Sequence, residues 1–530
     1  MTRKIGVAGR LIPAIAVMCA ATIADAQPPA QSPPPAAQTL TLAEATARAL
    51  QRNLDIRISR EVVTAAEWRQ VSARGSYDVQ FKADATEHHH DDPNVTLFSG
   101  APPGEVVPHN TDFTSNLSLS RLFKSGATAT AIASVGRDLT NSFFTLFAPA
   151  YLTTIGAQVR QPLLRDRSID SSRTELTITA LDREKSHAQL EQSVQNVVAS
   201  VEQAYWTFVS ALREVQVRRD SVTLADQQRA DTQARIDART AAALDIAQPT
   251  AEIERRRGDL FAAQESALRA ERTLKLLMTD DPADPIWSQM LMPDNPPDVE
   301  EKPVDIQRAL GDAMTHRPEL ASLGADVSTA EARTRLAKDA LKPQVDVVGG
   351  YSMRGLAGTH NPETVTFPGV ITPFPDVLGG ALGTSYHSLF NQTFPDASIG
   401  VTVSVPFGQH AAKGDYGAAQ AQQRQAALQL LQQRDRITVD VLDAASALET
   451  ARSRTQAARA GLEAANTQLR AEQERFAAGT STNFLVLTRQ NDLEQAQLTE
   501  ISALTAYRRA LTELSRSTGM LLTERGITVK

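Results

Sequence analysis

One architectural unit occurs twice along this chain, and the duplication constrains the fold more than any other feature. Each copy reads as a helix, an alternating strand, a loop, a second alternating strand, a proline, and a very long helix that turns back. The prolines that mark the strand-to-helix transitions are Pro162 in the first copy and Pro406 in the second. A unit of this length is far longer than a solenoid repeat. The sequence therefore predicts two similar halves related by pseudo-symmetry.

The strands of both halves alternate between apolar and polar side chains. The pattern covers residues of about 76–88 and 152–161 in the first half and about 344–353 and 397–405 in the second. A period of two indicates strands with one apolar and one polar face, and about 9–11 residues is enough to cross a membrane as a tilted strand. The same alternation occurs in half-exposed sheets of soluble proteins, so the strands alone leave both possibilities open. A hairpin-like stretch at 113–137 has no counterpart in the second half, and its contribution to the sheet is left open too.

Long helices follow the strand pairs. The predicted helices at 168–239 and 409–478 contain no proline, and at about 1.5 Å per residue each is on the order of 100 Å long. Their apolar positions recur in steps of three and four, which is typical of coiled-coil packing. Shorter helices return at 245–278 and 483–518. Further helices are predicted at 42–74, interrupted near Asn53, and at 304–341. We expect the return helices to stack end to end with Leu54–Arg74 and Glu319–Leu341 of these regions, which completes a wall of even height.

The N-terminus has the features of a secretory signal over residues 1–26. A basic start at Arg3, Lys4 and Arg10 precedes a short apolar core, and Ala24-Asp25-Ala26 predicts cleavage after Ala26. The single cysteine, Cys19, lies inside this signal, so the mature chain is expected to lack disulfides and thiol chemistry. The remaining division is a flexible leader at 27–40, a first repeat at 41–279, a linker rich in aspartate and proline at 280–303, a second repeat at 304–522 and a tail at 523–530.

Composition and motifs argue against several functional classes. The net charge of −7 gives no indication of nucleic-acid binding. The sequence shows no phosphate-binding glycine loop, no triad spacing and no paired Cys/His signature, so we predict neither an enzyme nor a bound cofactor. His88, His89 and His90 are weak metal candidates, because neighbouring residues of a strand point to opposite faces. We expect them just past the first strand, in a solvated outward loop, and predict no metal site.

Taken together, the chain resembles the TolC-type outer membrane efflux protein family over essentially the whole mature sequence. The residues that carry the resemblance are Leu42-Ala43-Glu44-Ala45 with Asn53, Gln161-Pro162-Leu163-Leu164, Ala204-Tyr205, Leu244-Asp245-Ile246, Arg317-Pro318-Glu319-Leu320 and Glu474-Arg475-Phe476-Ala477-Ala478-Gly479-Thr480-Ser481. The resemblance implies a mixed α/β membrane protein. Its duplicated helix–strand halves form one third of a trimeric outer-membrane β-barrel, with four strands from each chain, and a long periplasmic α-helical coiled-coil tunnel.

The resemblance also implies a function and partners. The homotrimer is a passive exit duct of a tripartite efflux pump or a type I secretion system. Its barrel contacts outer-membrane lipid, a periplasmic adaptor docks at the helical tips, and an inner-membrane transporter supplies substrate and energy. The tips carry Arg239 and Thr240 in the first half and Gly479, Thr480 and Ser481 in the second. The family's tip glycine is replaced by Arg239, so we expect adaptor contacts to differ there.

Some family members close the periplasmic entrance with aspartates on the second return helix. The corresponding positions are Leu485 and Thr488, which makes Asp245 on the first return helix the nearest acidic gate candidate. Its simpler interpretation is a negative charge at a helix N-terminus, which the helix dipole favours.

Two other classes stay open as alternatives: a periplasmic adaptor and a structural coiled-coil envelope protein. An adaptor has a single helical hairpin, and a coiled-coil protein needs no alternating strands.

Overall fold

The computed structural model describes residues 38–91, 93, 100–240, 242–294, 304–365 and 376–529. The predicted signal peptide, its cleavage site and residues 295–303 of the predicted linker lie outside these ranges. The elements of the first half are β1 (Gln38–Leu40), α1 (Leu42–Arg52), α2 (Leu54–Arg74), β2 (Gln80–His90), β3 (Asn110–Leu122), β4 (Thr128–Thr140), β5 (Phe147–Pro162), α3 (Ser171–Asp237), α4 (Ala247–Leu277) and β6 (Leu291–Pro293). Those of the second half are α5 (Ile306–His316), α6 (Pro318–Asp339), β7 (Gln344–His360), α7 (Leu382–Phe390), β8 (Phe394–Ser404), α8 (His410–Ala477), α9 (Asn483–Ser517) and α10 (Leu521–Glu524).

Six strands form one antiparallel sheet in the order β2-β3-β4-β5-β7-β8. The stretch that the sequence left open, 113–137, therefore lies inside the sheet as β3 and β4, between the first and second alternating strands. Lys124-Ser125-Gly126 makes their turn, with Gly126 at φ +82°. The sheet of a single chain therefore has six strands and not the expected four.

The register gives this sheet two chemically different faces. Paired residues have numbers of the same parity in every antiparallel ladder, except Phe147 opposite His360 before a bulge in β5. The even-numbered side chains of these paired segments therefore share one face, and the odd-numbered side chains share the other. The even face carries charged and polar side chains, among them Lys82, Asp84, Asn116, Arg160 and Arg354. The odd face carries apolar ones, such as Phe81, Leu117, Val159, Ile399, Val401 and Val403, all exposed in the single chain.

The long helices form the rest of the molecule. Asn53 separates α1 from α2, because its side chain accepts hydrogen bonds from the amides of Asp55 and Ile56 and donates one to Leu277 O at 3.0 Å. This bond places the start of α2 at the end of α4. In the second half Arg317 separates α5 from α6, which begins at Pro318. Across the described ranges, no helix combines the length and apolar character needed to cross a membrane.

The largest core lies along the middle of α3. Leu190, Val194, Val198, Val201 and Phe208 are buried there against α1, α4 and α10. Beside them lies a short parallel pair of strands, β1 with β6. The Tyr205 hydroxyl attaches this pair to α3, because it donates a hydrogen bond shared between Leu40 O at 3.2 Å and Asp294 O at 2.9 Å. The Ala204-Tyr205 pair of the sequence resemblance therefore joins the N-terminal segment to the segment before the linker.

Candidate functional site

The two hairpin tips have the same backbone geometry. Thr240 N–H donates to Arg235 O at 2.9 Å, and Thr480 N–H donates to Arg475 O at 2.9 Å. In each tip the threonine hydroxyl donates to the same carbonyl as its own N–H, at 3.0 Å in the first tip and 3.1 Å in the second. These are the bonds of a helix end closed by a residue in the left-handed region. That residue is Arg239 at φ +57° in the first tip and Gly479 at φ +78° in the second.

Most of the tip candidates face solvent. Arg239, Thr240, Gly479 and Thr480 are exposed, and nothing lies within 4 Å of where a Cβ on Gly479 would stand. Ser481 differs, because it is half-buried and its hydroxyl donates to Glu472 on α8. The tips therefore offer two exposed turns whose backbones are alike and whose side chains differ.

The tips also contact each other within one chain. The Arg235 guanidinium lies over the Phe476 ring at 3.8 Å from its centroid and donates to Phe476 O at 3.3 Å. About two helical turns before Arg235 on α3, Gln228 Nε2 donates to Asn483 Oδ1 at 2.5 Å. These contacts connect the first hairpin (α3 and α4) to the second (α8 and α9).

Asp245 lies on a short 3-10 turn before α4 and is exposed. Its carboxylate accepts a hydrogen bond from Ala242 N–H at 3.0 Å. This hydrogen bond makes the carboxylate part of the cap of the turn, a role that was not predicted from the sequence. The same carboxylate stays a candidate for a gate, since an exposed capping oxygen keeps a second lone pair for solvent or ions.

A buried ion network lies behind the tips. Arg256 on α4 is 1% exposed and donates to Glu252 Oε1 at 2.8 Å, to Ser221 O at 2.8 Å and to Asn491 Oδ1 at 3.0 Å. These partners belong to α4 itself, to α3 and to α9. Arg218 on α3 forms an ion pair with Glu494 on α9, and Ser221 Oγ donates to the same carboxylate at 2.5 Å. The network therefore ties three helices of two hairpins together, and its Ser221 lies about 24 Å along α3 from the end of that helix at Asp237.

Glu252 supplies the negative charge that neutralises the buried Arg256 guanidinium. Burial acts to raise the pKa of Glu252, but hydrogen bonds from Arg255 and Arg256 and their positive charges outweigh it and lower the pKa below its ordinary value. Glu252 is therefore ionised at neutral pH and satisfies the buried guanidinium.

Arg256 and Glu494 were not among the residues singled out from the sequence. The available signal was the spacing of Glu252 and Arg256, four apart on a helix, which also describes an ordinary solvated pair. Burial depends on Ser221, Gln490 and Asn491, which are distant along the chain, so local spacing could not identify the site.

On the even face of the sheet, opposite charges pair across strands. Arg160 Nε donates to Asp346 Oδ2 at 2.9 Å near the helical end of the strands, and Arg354 forms an ion pair with Asp396 at 2.7 Å farther out. Pro162 is the last residue of β5, and Pro406 lies two residues beyond β8. Both prolines thus stand where the polar face gives way to the helices.

The histidines require a correction. They lie within β2 and not in a loop beyond it, because β3 pairs with the strand up to His90 opposite Asn110. His89 points to the odd face, as expected for a strand, and its Nδ1 lies 2.9 Å from Thr111 Oγ1. His88 and His90 share the even face with Asp112, a residue just before the hairpin-like stretch at 113–137 that no sequence pattern placed beside them.

Comparison with known proteins identifies the fold. A family model described as outer membrane efflux protein matches residues 309–520, which lie within the second predicted repeat. The search of curated proteins gave no match. Among solved structures, the chain is similar to the Campylobacter jejuni CmeC outer membrane channel at 14% identity, covering 91% of this chain and 86% of that one, with a TM-score of 0.64.

Two further structures give the same result. The Vibrio cholerae outer membrane protein VceC matches at 13% identity over 90% of this chain and 96% of that one, with a TM-score of 0.62. The open state of the Neisseria gonorrhoeae MtrE outer membrane channel matches at 16% identity over 91% and 89%, with a TM-score of 0.60. The chain is thus similar to outer membrane efflux proteins in its second half, and it has the fold of outer membrane channels over 90–91% of its length.

Proposed function

We propose that this chain is the outer-membrane exit duct of a tripartite efflux pump or a type I secretion system, and that three copies share one barrel and one tunnel. The observation that carries the proposal is the pair of open sheet edges. β2 and β8 form the two ends of the six-stranded sheet, and their residues are exposed almost throughout. Unpaired edges of this length are a liability unless another chain covers them. Pairing β2 of one copy with β8 of the next removes every edge, and the likeness to solved channels favours three copies in a ring.

The two faces of the sheet support a place in the outer membrane. Ile399 is 86% exposed in the single chain, and Val401 and Val403 beside it on the odd face are 64% and 62% exposed. A contiguous apolar surface of this kind fits lipid, and the charged even face fits a water-filled lumen. The alternatives, an adaptor or a structural coiled coil, do not account for a sheet with this division.

The tips support the proposed partners. Two exposed turns at the far ends of the long helices present Arg239, Thr240, Gly479 and Thr480 to the periplasm, where an adaptor would dock, and Gly479 allows close approach of a partner backbone. The duct itself carries out no chemical step. Conduction is passive, and an inner-membrane transporter supplies the energy. Localisation in the outer membrane with the helices in the periplasm requires export, which the predicted signal peptide cleaved after Ala26 would provide.

We further propose that the duct opens when its helices untwist at the tips, with the Arg256 network as the restraint inside each chain. Opening would separate the first hairpin from the second or move both together. The contacts of Arg235 with Phe476 and of Gln228 with Asn483 oppose the first of these movements.

Single-particle imaging of the protein extracted from outer membranes in detergent tests the architecture. The expected result is a threefold particle with a barrel at one end and a helical tunnel of about 100 Å. A monomeric particle, or a rod that leaves the membrane with salt and without detergent, would contradict the proposal and favour the coiled-coil alternative.

A crosslinking experiment tests the opening step. Because the only cysteine of the sequence is Cys19 in the predicted signal, the mature chain is a cysteine-free background for Gln228→Cys with Asn483→Cys joined by a short thiol crosslinker. We expect lower conductance in planar bilayers, restored when a cleavable crosslinker is reduced. The matched control joins Gln192→Cys with Glu319→Cys, which hydrogen-bond at 3.0 Å far from the tips. Equal conductance before and after crosslinking at the tips would reject opening by separation of the hairpins.

A further inference from the structure

Three side chains with metal-binding atoms converge on the even face of the sheet near its outer end. His88 and His90 are two residues apart on β2, and Asp112 on β3 pairs directly with His88. One ligand atom from each residue lies within 4.8 Å of the corresponding atoms of the other two. It is the single such group found among the residues that the structure describes. The convergence follows from the register and not from local sequence, since β3 enters the sheet twenty residues after β2 ends.

The geometry requires little change to accept an ion. The two imidazole rings are stacked with centroids 4.6 Å apart, and His90 Nδ1 lies 3.6 Å from Asp112 Oδ2. Tetrahedral coordination with bonds of about 2.0–2.1 Å separates ligand atoms by about 3.3 Å. His88 is exposed and the other two residues are half-exposed, so rotation of side chains can close the remaining distance without moving the backbone.

The surroundings add negative charge. Asp138 on β4 pairs with Asp112 on the same face. Asp91 and Glu105 lie just beyond the strands, where both approach His109, Asp91 with a contact of 2.7 Å to its Nδ1. The carboxylates of Asp112 and Asp138, opposite each other on one face, favour a cation at this position over an anion.

We propose that His88, His90 and Asp112 bind one divalent transition-metal ion of the Zn²⁺ type in each chain. Two imidazoles with one carboxylate suit Zn²⁺, Co²⁺, Ni²⁺ or Cu²⁺ and do not suit Mg²⁺ or Ca²⁺, which prefer oxygen ligands. Three protein ligands leave a coordination position for water or a passing ligand. The binding site goes beyond the proposed function, and only its position in a lumen rests on that function.

His89 provides a matched control inside the same run of three histidines. Its side chain lies on the opposite face of β2, against Thr111, so it cannot reach an ion held by its neighbours. Substitution of His89 therefore removes an exposed histidine from the same strand without removing a ligand.

The experiment uses the purified full chain in detergent, without a histidine tag and stripped of metal with a chelator. Co²⁺ is titrated and followed by its visible absorption, and Zn²⁺ is then added in competition. We expect one high-affinity Co²⁺ per chain, displaced by Zn²⁺. His88→Gln, His90→Gln and Asp112→Asn should each weaken binding at least about tenfold, since even outer-shell partners contribute 10–100-fold in metal sites. His89→Gln should bind as the unsubstituted chain does.

Three outcomes overturn the site: no Co²⁺ spectrum at one equivalent, equal binding by His88→Gln and the unsubstituted chain, or equal weakening by His89→Gln and His88→Gln. Size-exclusion profiles identify variants that have lost their assembly, and the test then rests on Asp112→Asn, which preserves the size of the side chain and removes the carboxylate. Imaging decides the channel architecture separately, so a failure of metal binding and a failure of the proposed function are distinguishable.

Discussion

Arg239 occupies the left-handed backbone region, where an L side chain is disfavoured by about 1–2 kcal/mol. The matching residue of the other tip, Gly479, has no such cost. Both turns nevertheless form the same hydrogen bonds, so the helix end is held by its surroundings and not by glycine alone. The sequence difference at the tips therefore changes the chemistry that a partner meets and leaves the backbone alike.

We predict that Gly479→Ala weakens the second tip by about 1 kcal/mol, because alanine is strained at φ +78°. Amide hydrogen exchange at residues 475–480 should then be roughly fivefold faster. Gly461→Ala in the interior of α8, where a Cβ has open space, is the control and should slow exchange near it, since alanine favours a helix. Unchanged exchange in Gly479→Ala would show that the tip is not held by this turn.

The hydroxyl of Tyr205 is a second single-residue feature that can be tested. Burial raises the pKa of Tyr205 to about 12, so the hydroxyl keeps its proton and donates at every pH where the protein is used. Tyr205→Phe should lower the free energy of unfolding by about 1 kcal/mol through loss of the bonds to Leu40 O and Asp294 O. The readout is the thermal midpoint of the helical circular dichroism signal. Tyr416→Phe should shift the thermal midpoint less, because the Tyr416 hydroxyl accepts a hydrogen bond from Gln420 on its own helix.

At the level of elements, the Arg256 network makes a prediction about pH. Because the folded-state pKa of Glu252 lies below its ordinary value of 4.5, its stabilisation is complete above about pH 4.5 and is lost as the pH falls through the lower folded value. We expect the thermal midpoint to fall over this acidic range. Glu252→Gln should lower the free energy of unfolding at pH 7 by about 1–3 kcal/mol and flatten the acidic decline.

The same helix offers a control for this prediction. Glu265 and Arg269 form an ion pair on α4 whose side chains are 71% and 77% exposed, and such pairs contribute little to stability. Glu265→Gln should therefore leave both the thermal midpoint and its pH dependence unchanged. If Glu265→Gln and Glu252→Gln behave alike, the buried network has no special role at the tips.

Elements could be predicted from the sequence wherever the signal was periodic and local. The interruption at Asn53 is an example, because a capping side chain acts within three residues of itself. The hairpin of β3 and β4 was recognised as a pattern, but its place in the sheet depends on pairing with β2 and β5. For the same reason His88 and His90 were placed in a loop and Asp112 was missed. The burial of Arg256 likewise comes from helices far apart in sequence, which no local pattern encodes.

For the whole molecule, the inserted hairpin predicts a wider barrel. Three copies of six strands give eighteen strands, where four strands from each chain would give twelve. Barrel diameter grows roughly in proportion to strand number, and about 16–18 strands enclose an aqueous channel. In the proposed trimer the exit should therefore be about one and a half times as wide as that of a twelve-stranded barrel.

Deletion of the hairpin tests this expectation because the flanking strands can pair without it. β2 and β5 are antiparallel in the present order, and their even-numbered residues share a face. Replacing residues 91–147 with an Asn-Gly turn places His90 opposite Ala148, so β2 should pair directly with β5 and keep the polar face inward. Imaging should then count twelve strands instead of eighteen, with a diameter reduced by about one third. Shortening residues 100–107 between β2 and β3 is the control and should leave eighteen. A twelve-stranded barrel in the unaltered protein would mean that β3 and β4 leave the sheet on assembly, and the edges that pair between copies would have to be reassigned.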